Sequence, residues 1–89
     1  MPQRVVPIVN RLGMHARAAA KFVSLASQYS ADVTVSRNHQ EVNGKSIMGV
    51  MMLAAAQGSE VTIETSGADA EDALDALTEL VADRFGEEA

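Results

Sequence analysis

The sequence predicts a single α+β domain, residues 1–89, in which three helices cover one face of a small antiparallel sheet. Its 89 residues, 47% of them hydrophobic, suffice for one modest core. The apolar residues alternate between a period of two and a helical period, which gives the order β-α-β-β-α-β-α. Three helices cannot cover both faces of four strands, so we expect them on one face.

The first half of the chain predicts a strand, a helix and a hairpin. Residues 3–9 form the strand, with Val6 and Ile8 on one face and Pro7 marking an edge position. Apolar spacing predicts a helix over residues 16–28. The hairpin has strands at 32–36 and 41–42 around the turn at 37–40, and Asn43-Gly44 closes it.

The second half predicts a helix, a strand and a third helix. Ser46 opens a helix over residues 47–57 and Gly58 stops it. Residues 60–65 alternate as a strand, with Val61 and Ile63 inward. Residues 66–69 turn and cap the third helix, whose apolar stripe is Ala70, Ala73, Leu74, Leu77, Leu80 and Val81.

Composition excludes several function classes. There is no cysteine, which excludes disulfides, thiolate catalysis and Cys-type zinc sites, and the two histidines, His15 and His39, are too few for a multi-histidine metal site. Three aromatic residues and a net charge of −5 argue against a nucleic-acid partner. No apolar run is long enough to span a membrane and no signal peptide is present, so we expect a cytoplasmic protein.

Charge is unevenly divided along the chain. Residues 1–49 hold six basic and two acidic residues, whereas residues 50–89 hold one basic and ten acidic residues. The basic half, which includes Lys21 and Lys45, is a candidate surface for an anionic ligand or an acidic partner. The alternative is a solvated acidic helix with scattered surface bases.

His15 and Arg17 stand where the first predicted helix begins. The unpaired N–H groups of a first helical turn and the helix dipole favour an anion. A neutral imidazole is a nucleophile, and a guanidinium is a forked donor for phosphate oxygens. This combination suits phosphoryl capture, which needs positioning and charge stabilisation. The alternative is a helix-capping histidine beside a surface arginine.

Asn43-Gly44-Lys45-Ser46 resembles the end of a P-loop, but that pattern requires a glycine where His39 stands. We therefore reject a nucleotide site and take His39 as a turn residue. Ser46 is predicted to cap the second helix, and its hydroxyl is a candidate modification site. Ile47, Met48 and Met51, together with Met52, are either an exposed apolar contact patch or core filling.

Two runs, Leu12-Gly13-Met14-His15-Ala16-Arg17-Ala18-Ala19 and Asn43-Gly44-Lys45-Ser46-Ile47-Met48-Gly49-Val50-Met51, resemble the two signatures of the HPr family. HPr is the histidine phosphocarrier of the bacterial phosphoenolpyruvate phosphotransferase system. The resemblance covers the whole chain. It implies an open-faced β-sandwich with strand order 1-4-2-3.

The resemblance also implies a function. His15 would carry the phosphoryl group on Nδ1 between enzyme I and enzyme IIA domains, and Arg17 would steady that group. Ser46 matches the position modified by HPr kinase/phosphorylase where that enzyme exists. Ile47, Met48 and Met51 match the docking patch. The protein would be a monomeric substrate of its partner enzymes and not itself an enzyme.

The chain departs from the family pattern at Ala18, where proline is usual; this should loosen the first helical turn slightly without affecting the chemistry. A purely regulatory interaction module that no longer carries phosphate is one alternative, against which His15 and Arg17 argue. Two other functions also stay open. One is the nitrogen-related regulatory branch of the same system, which the Leu12-Gly13-Met14 stretch suggests. The other is an acyl carrier protein, against which the strand content and the sequence Lys45-Ser46-Ile47 argue.

Overall fold

A computed structural model describes residues 1–89. Four strands form one antiparallel sheet in the order β1-β4-β2-β3, and three helices pack on one face of it. This confirms the predicted architecture and element order. The bounds are β1 Gln3–Pro7, α1 Ala16–Ala26, β2 Asp32–Arg37, β3 Gln40–Asn43, α2 Ile47–Met52, β4 Glu60–Ser66 and α3 Ala70–Ala82.

The alternating residues of the strands separate the two faces of the sheet. Val6, Val33, Val35, Val61 and Ile63 are buried beneath the helices, as predicted. Their neighbours along the strands point to the helix-free face, which carries Val5 and several polar residues. These polar residues are Asp32, Thr34, Ser36, Glu60, Thr62 and Glu64.

Strand β1, at the edge of the sheet, and helix α1 are both shorter than the sequence pattern predicts. Strand β1 ends at Pro7 rather than at residue 9, because Pro7 pairs with Glu60, the first residue of β4. It is an edge strand, as the proline indicated. Helix α1 ends at Ala26 rather than residue 28, since the N–H groups of Gln28 and Tyr29 form tighter bonds to carbonyls three residues back.

Helix α2 ends at Met52, five residues before the predicted end. The chain leaves the helix through Ala54, which has a φ of 50°, and Ala55 is buried. The carbonyl of Ala55 accepts a hydrogen bond from the Met14 N–H at 2.9 Å. The segment after α2 therefore supports the loop before α1 instead of continuing a helix.

The third helix begins beside Asp69, but that side chain does not cap it as predicted. Its carboxylate accepts hydrogen bonds from the Ser30 and Ala31 backbone N–H groups at 2.9 and 2.8 Å. The bond from Ser30, then that from Ala31, holds the pKa of Asp69 below its usual value. Asp69 thus joins the start of α3 to the loop before β2. Within the predicted stripe, Leu80 is partly exposed and the other five residues are buried.

The residues after α3 turn back onto the domain. Arg84–Gly86 form a short 3-10 turn in which Phe85 is fully buried. All three residues have positive φ, between 55° and 78°. Burial of the phenyl ring holds this backbone conformation and directs Glu87, Glu88 and Ala89 toward the start of α1.

Candidate functional site

His15 is the N-cap residue of α1. Its backbone is extended, with φ −77° and ψ 179°, and its carbonyl accepts the first helical bond from Ala19 at 2.8 Å. The ring makes no capping hydrogen bond, so a side-chain cap does not explain the residue. The N–H groups of residues 16–18 have no backbone partner, which leaves three donors at this helix end.

The loop before α1 is held by its backbone and by one buried amide. Asn10 is fully buried, and its Nδ2 donates to the Gly13 carbonyl at 2.8 Å. Gly13 has a φ of 67°, and a Cβ there would lie 2.6 Å from the carbonyl oxygen of Ala55. Only glycine fits this close approach without strain. The sequence therefore fixes the backbone immediately before His15.

Glu87 contacts the His15 ring, a pairing that the sequence analysis did not predict. One carboxylate oxygen is hydrogen-bonded to His15 Nε2, and the other accepts from Asn10 Nδ2 at 2.9 Å. The bond from Asn10, followed by that from His15, holds the pKa of the Glu87 carboxyl below its usual value. The other ring nitrogen, Nδ1, has no hydrogen-bond partner within the chain.

An open pocket surrounds the ring. It brings together the predicted site residues His15 and Arg17 with the side chains of Arg11 and Leu12 and with the C-terminal residues. The His15 side chain is 28% exposed, whereas Arg17 is exposed and makes no ion pair within the chain. A partly shielded imidazole and two free guanidinium groups thus face a common space that suits an anion.

Ser46 caps α2, as predicted. Its Oγ accepts a hydrogen bond from the Gly49 N–H at 3.1 Å. This geometry accounts for a serine at the helix start, and modification of the hydroxyl stays a prediction.

The apolar residues of α2 are exposed instead of filling the core. Ile47, Met48, Met51 and Met52 expose between 42% and 76% of their surface, while Val50 faces inward and is fully buried. Leu12, in the loop beside His15, is also exposed. We call Ile47, Met48 and Met51 the α2 patch. Core filling is excluded for these three residues, and their role in docking stays a prediction.

The two lysines predicted to bind partners are held by backbone carbonyls. Lys21 Nζ donates to the Phe85 carbonyl at 2.7 Å, and Lys45 Nζ donates to the Tyr29 carbonyl at 2.8 Å. Each ammonium group is therefore held in a fixed position, and a role of the two lysines in partner binding stays a prediction. His39 lies in the β2–β3 turn with a φ of 67° and is exposed, as expected of a turn residue.

Asn10, Arg11 and Glu87 belong to the site, although no motif in the sequence indicates them. The signal that was available is Phe85, an aromatic residue within an acidic segment after the last helix. A buried aromatic there indicates a docked tail. Its docking point, however, depends on contacts between opposite ends of the chain.

None of the helices has the length and the apolar character that are needed to span a membrane. The chain has no group of three or more histidine, cysteine, aspartate or glutamate side chains placed to hold a metal ion.

Comparisons with known proteins agree on one family. The protein-family model described as "PTS HPr component phosphorylation site" matches residues 2–83 of the chain. The phosphocarrier protein HPr of Cupriavidus necator is 56% identical over 87 residues, covering 98% of both chains. The phosphocarrier protein NPr of Shewanella violacea is 40% identical over 85 residues, covering 96% of this chain and 93% of that one.

Solved structures show the same fold. HPr-C-His from Thermoanaerobacter tengcongensis superposes with a TM-score of 0.96 at 43% identity, with full coverage of both chains. An HPr dimer from the same organism gives a TM-score of 0.79 at 42% identity, covering 98% of this chain and all of that one. The chain therefore belongs to the HPr family, and it is a phosphocarrier protein of the phosphotransferase system and not an enzyme.

Proposed function

We propose that the chain, acting as one HPr domain over residues 1–89, carries a phosphoryl group on His15. It accepts the group from phospho-enzyme I and passes it to enzyme IIA domains. The observation that carries this proposal is the open pocket that His15 and Arg17 line together at the start of α1, where Nδ1 of His15 and the N–H groups of residues 16–18 have no partner.

The pocket suits phosphoryl transfer because that reaction depends on positioning and on charge stabilisation. A neutral imidazole supplies the nucleophilic nitrogen. The guanidinium of Arg17 and the N–H groups of residues 16–18 supply donors for the phosphoryl oxygens. The chain needs no metal or cofactor of its own for this step.

Docking is assigned to the α2 patch together with Lys21 and Lys45. An exposed isoleucine and two exposed methionines give an adaptable apolar contact, and the two held lysines add positive charge for an acidic partner surface. We expect the carrier to act as a monomer in the cytoplasm. Sedimentation of the free chain tests the oligomeric state.

Ser46 is the proposed regulatory site, modified by HPr kinase/phosphorylase where the organism has it. Phosphate there adds about two negative charges next to the α2 patch. Enzyme I binding then requires these charges to be desolvated or to face acidic groups of the partner. Phosphorylation of Ser46 would therefore weaken docking without unfolding the domain.

The second candidate is the nitrogen-related branch of the same system. The similarity to the Shewanella NPr supports it, although the identity to the Cupriavidus HPr is higher. Phosphorylation assays with the two types of enzyme I, one for each branch, discriminate the candidates through their relative transfer rates.

The deciding experiment for His15 is incubation with enzyme I and phosphoenolpyruvate. Phosphoramidates are acid-labile, unlike phosphoserine, so wild type should acquire acid-labile label and His15→Ala should acquire none. His39→Ala is the matched control, because it removes the other histidine from an exposed turn. Undiminished acid-labile labelling of the His15 variant would refute the proposal.

A further inference from the structure

The carboxylate of Glu87 connects the loop before α1 to the His15 ring. Asn10 Nδ2 donates to Oε1 at 2.9 Å, and Oε2 is hydrogen-bonded to His15 Nε2. The Glu87 side chain is only 14% exposed. The buried Phe85 anchors the segment that carries it. The contact between Glu87 and His15 is therefore fixed by the surrounding structure, unlike a contact between two mobile surface side chains.

The hydrogen-bond partners define which ring nitrogen carries the proton. Asn10 Nδ2 also donates to the Gly13 carbonyl, so the amide cannot turn without placing two oxygens together. An ionised carboxylate only accepts hydrogen bonds. In the neutral ring Nε2 must therefore be the donor, and Nδ1 keeps the lone pair.

We propose that Glu87 is a positioning residue for phosphoryl transfer: it selects the tautomer in which Nδ1 of His15 is the nucleophile, and it balances the charge that the ring gains. The inference rests on His15 as the acceptor. The Nδ1 lone pair forms the new bond to phosphorus, and the bond between phosphorus and the donor's leaving group breaks. The electron pair of that bond stays with the leaving group.

No proton has to move in this step. Nε2 keeps its hydrogen, so the phosphorylated ring is an imidazolium that faces the Glu87 carboxylate. The same contact acts when the group moves on to an acceptor, because the ring then returns to the neutral tautomer. Glu87 thus stabilises the charged ring in both directions of transfer.

The other charged groups around the ring do not substitute for Glu87. Arg11, Arg17 and Glu88 line the same pocket, but none of them is hydrogen-bonded to His15. Glu88 is an adjacent acid on the same tail and is exposed. It is therefore a matched control for the loss of one negative charge.

Glu87→Gln tests the proposal sharply, because an amide has one acceptor and one donor end. The fixed Asn10 amide holds the acceptor end, so the NH₂ group of the substituted side chain faces Nε2 and favours the proton on Nδ1. We expect ring ¹⁵N shifts at alkaline pH to show Nε2–H in wild type and in Glu88→Gln. In Glu87→Gln they should show mainly Nδ1–H.

Transfer from phospho-enzyme I should slow about ten- to a hundred-fold in Glu87→Gln, and the change in Glu88→Gln, which removes one negative charge from the same pocket, should be much smaller. Glu87→Ala, which offers the ring no partner, should show both tautomers and a smaller loss. Thermal unfolding confirms that each variant is folded.

Wild type with the proton on Nδ1, or Glu87→Gln with the wild-type tautomer or the wild-type transfer rate, would overturn the proposal. The tautomer measurement needs no phosphoryl donor. If wild type acquires no phosphoryl group at His15, the proposed function fails. The ¹⁵N chemical shifts of the His15 ring still decide whether Glu87 selects its tautomer.

Discussion

The first two helices of the chain begin in different ways. Helix α1 starts at His15, whose ring makes no cap and instead contacts a distant glutamate. Helix α2 starts at Ser46, whose hydroxyl accepts the Gly49 N–H. One helix end keeps donors available and the other has a side-chain acceptor of its own. The first arrangement suits a ligand and the second suits stability.

The same contrast extends to the surroundings. The start of α1 is held in place by the loop at Asn10–Gly13, the segment after α2 and the C-terminal tail. The start of α2 is followed by exposed apolar side chains. A reacting group needs fixed neighbours, whereas a docking surface needs accessible ones. The two helix starts are thus divided between chemistry and recognition.

Arg17 gives the largest expected effect at the α1 start. Arg17→Lys keeps the charge but loses the planar fork, so transfer to and from His15 should slow, and Arg17→Ala should slow it further. A charge-assisted hydrogen bond worth about 1.5–3 kcal/mol corresponds to roughly ten- to a hundred-fold in rate. Stopped-flow or quench measurements with both donor and acceptor give the rates.

Arg11→Ala is the control for this series, since it removes an equal charge from the same pocket. It should cost less than Arg17→Ala. Wild-type rates in Arg17→Ala would show that the guanidinium takes no part in transfer.

Ser46 tests the other helix start, where we expect an effect on stability and a separate effect on binding. Ser46→Ala removes the acceptor of the Gly49 N–H and should cost about 1 kcal/mol in unfolding free energy. Ser46→Asp keeps an acceptor and adds a charge that suits the helix dipole, so its melting temperature should equal or slightly exceed that of wild type.

Enzyme I binding should be unchanged in Ser46→Ala and weaker in Ser46→Asp. Titration calorimetry at two salt concentrations separates the causes: a penalty that shrinks at high salt indicates repulsion, and one that persists indicates desolvation. Equal affinity of wild type and both variants would reduce Ser46 to a helix cap.

Ala18 gives the smallest expected effect and tests whether the α1 start has spare donors. Its N–H has no backbone partner, so proline removes nothing there. Ala18→Pro should raise the unfolding free energy by about 0.4–1 kcal/mol by restricting the unfolded chain. Chemical denaturation measures the change, and a lower midpoint would show that the N–H is in use.

The sequence was sufficient for the strands and for most of the helices because their burial pattern is local. Val33 and Val35, like Val61 and Ile63, alternate toward the core as predicted. The end of α2 was predicted too late because residues 53–57 are apolar enough to continue a helix. What stops it is the long-range bond between Ala55 and Met14.

The site was predictable only in part for the same reason. His15 and Arg17 belong to one helix start, so their proximity follows from spacing alone. Glu87 reaches the ring because Phe85 is buried and the intervening backbone adopts positive φ. Neither the docking of the tail nor the capture of Asp69 by the Ser30 loop is encoded in a local pattern.

The helix-free face of the sheet offers a position for attaching a label. Thr62 lies there in a central strand, paired with Val5, on the side that carries no helix. Since the chain contains no cysteine, Thr62→Cys would introduce a single thiol. A fluorophore or a sensor surface attached at that thiol would leave both helix starts facing solution, so partner association could be followed without touching either one.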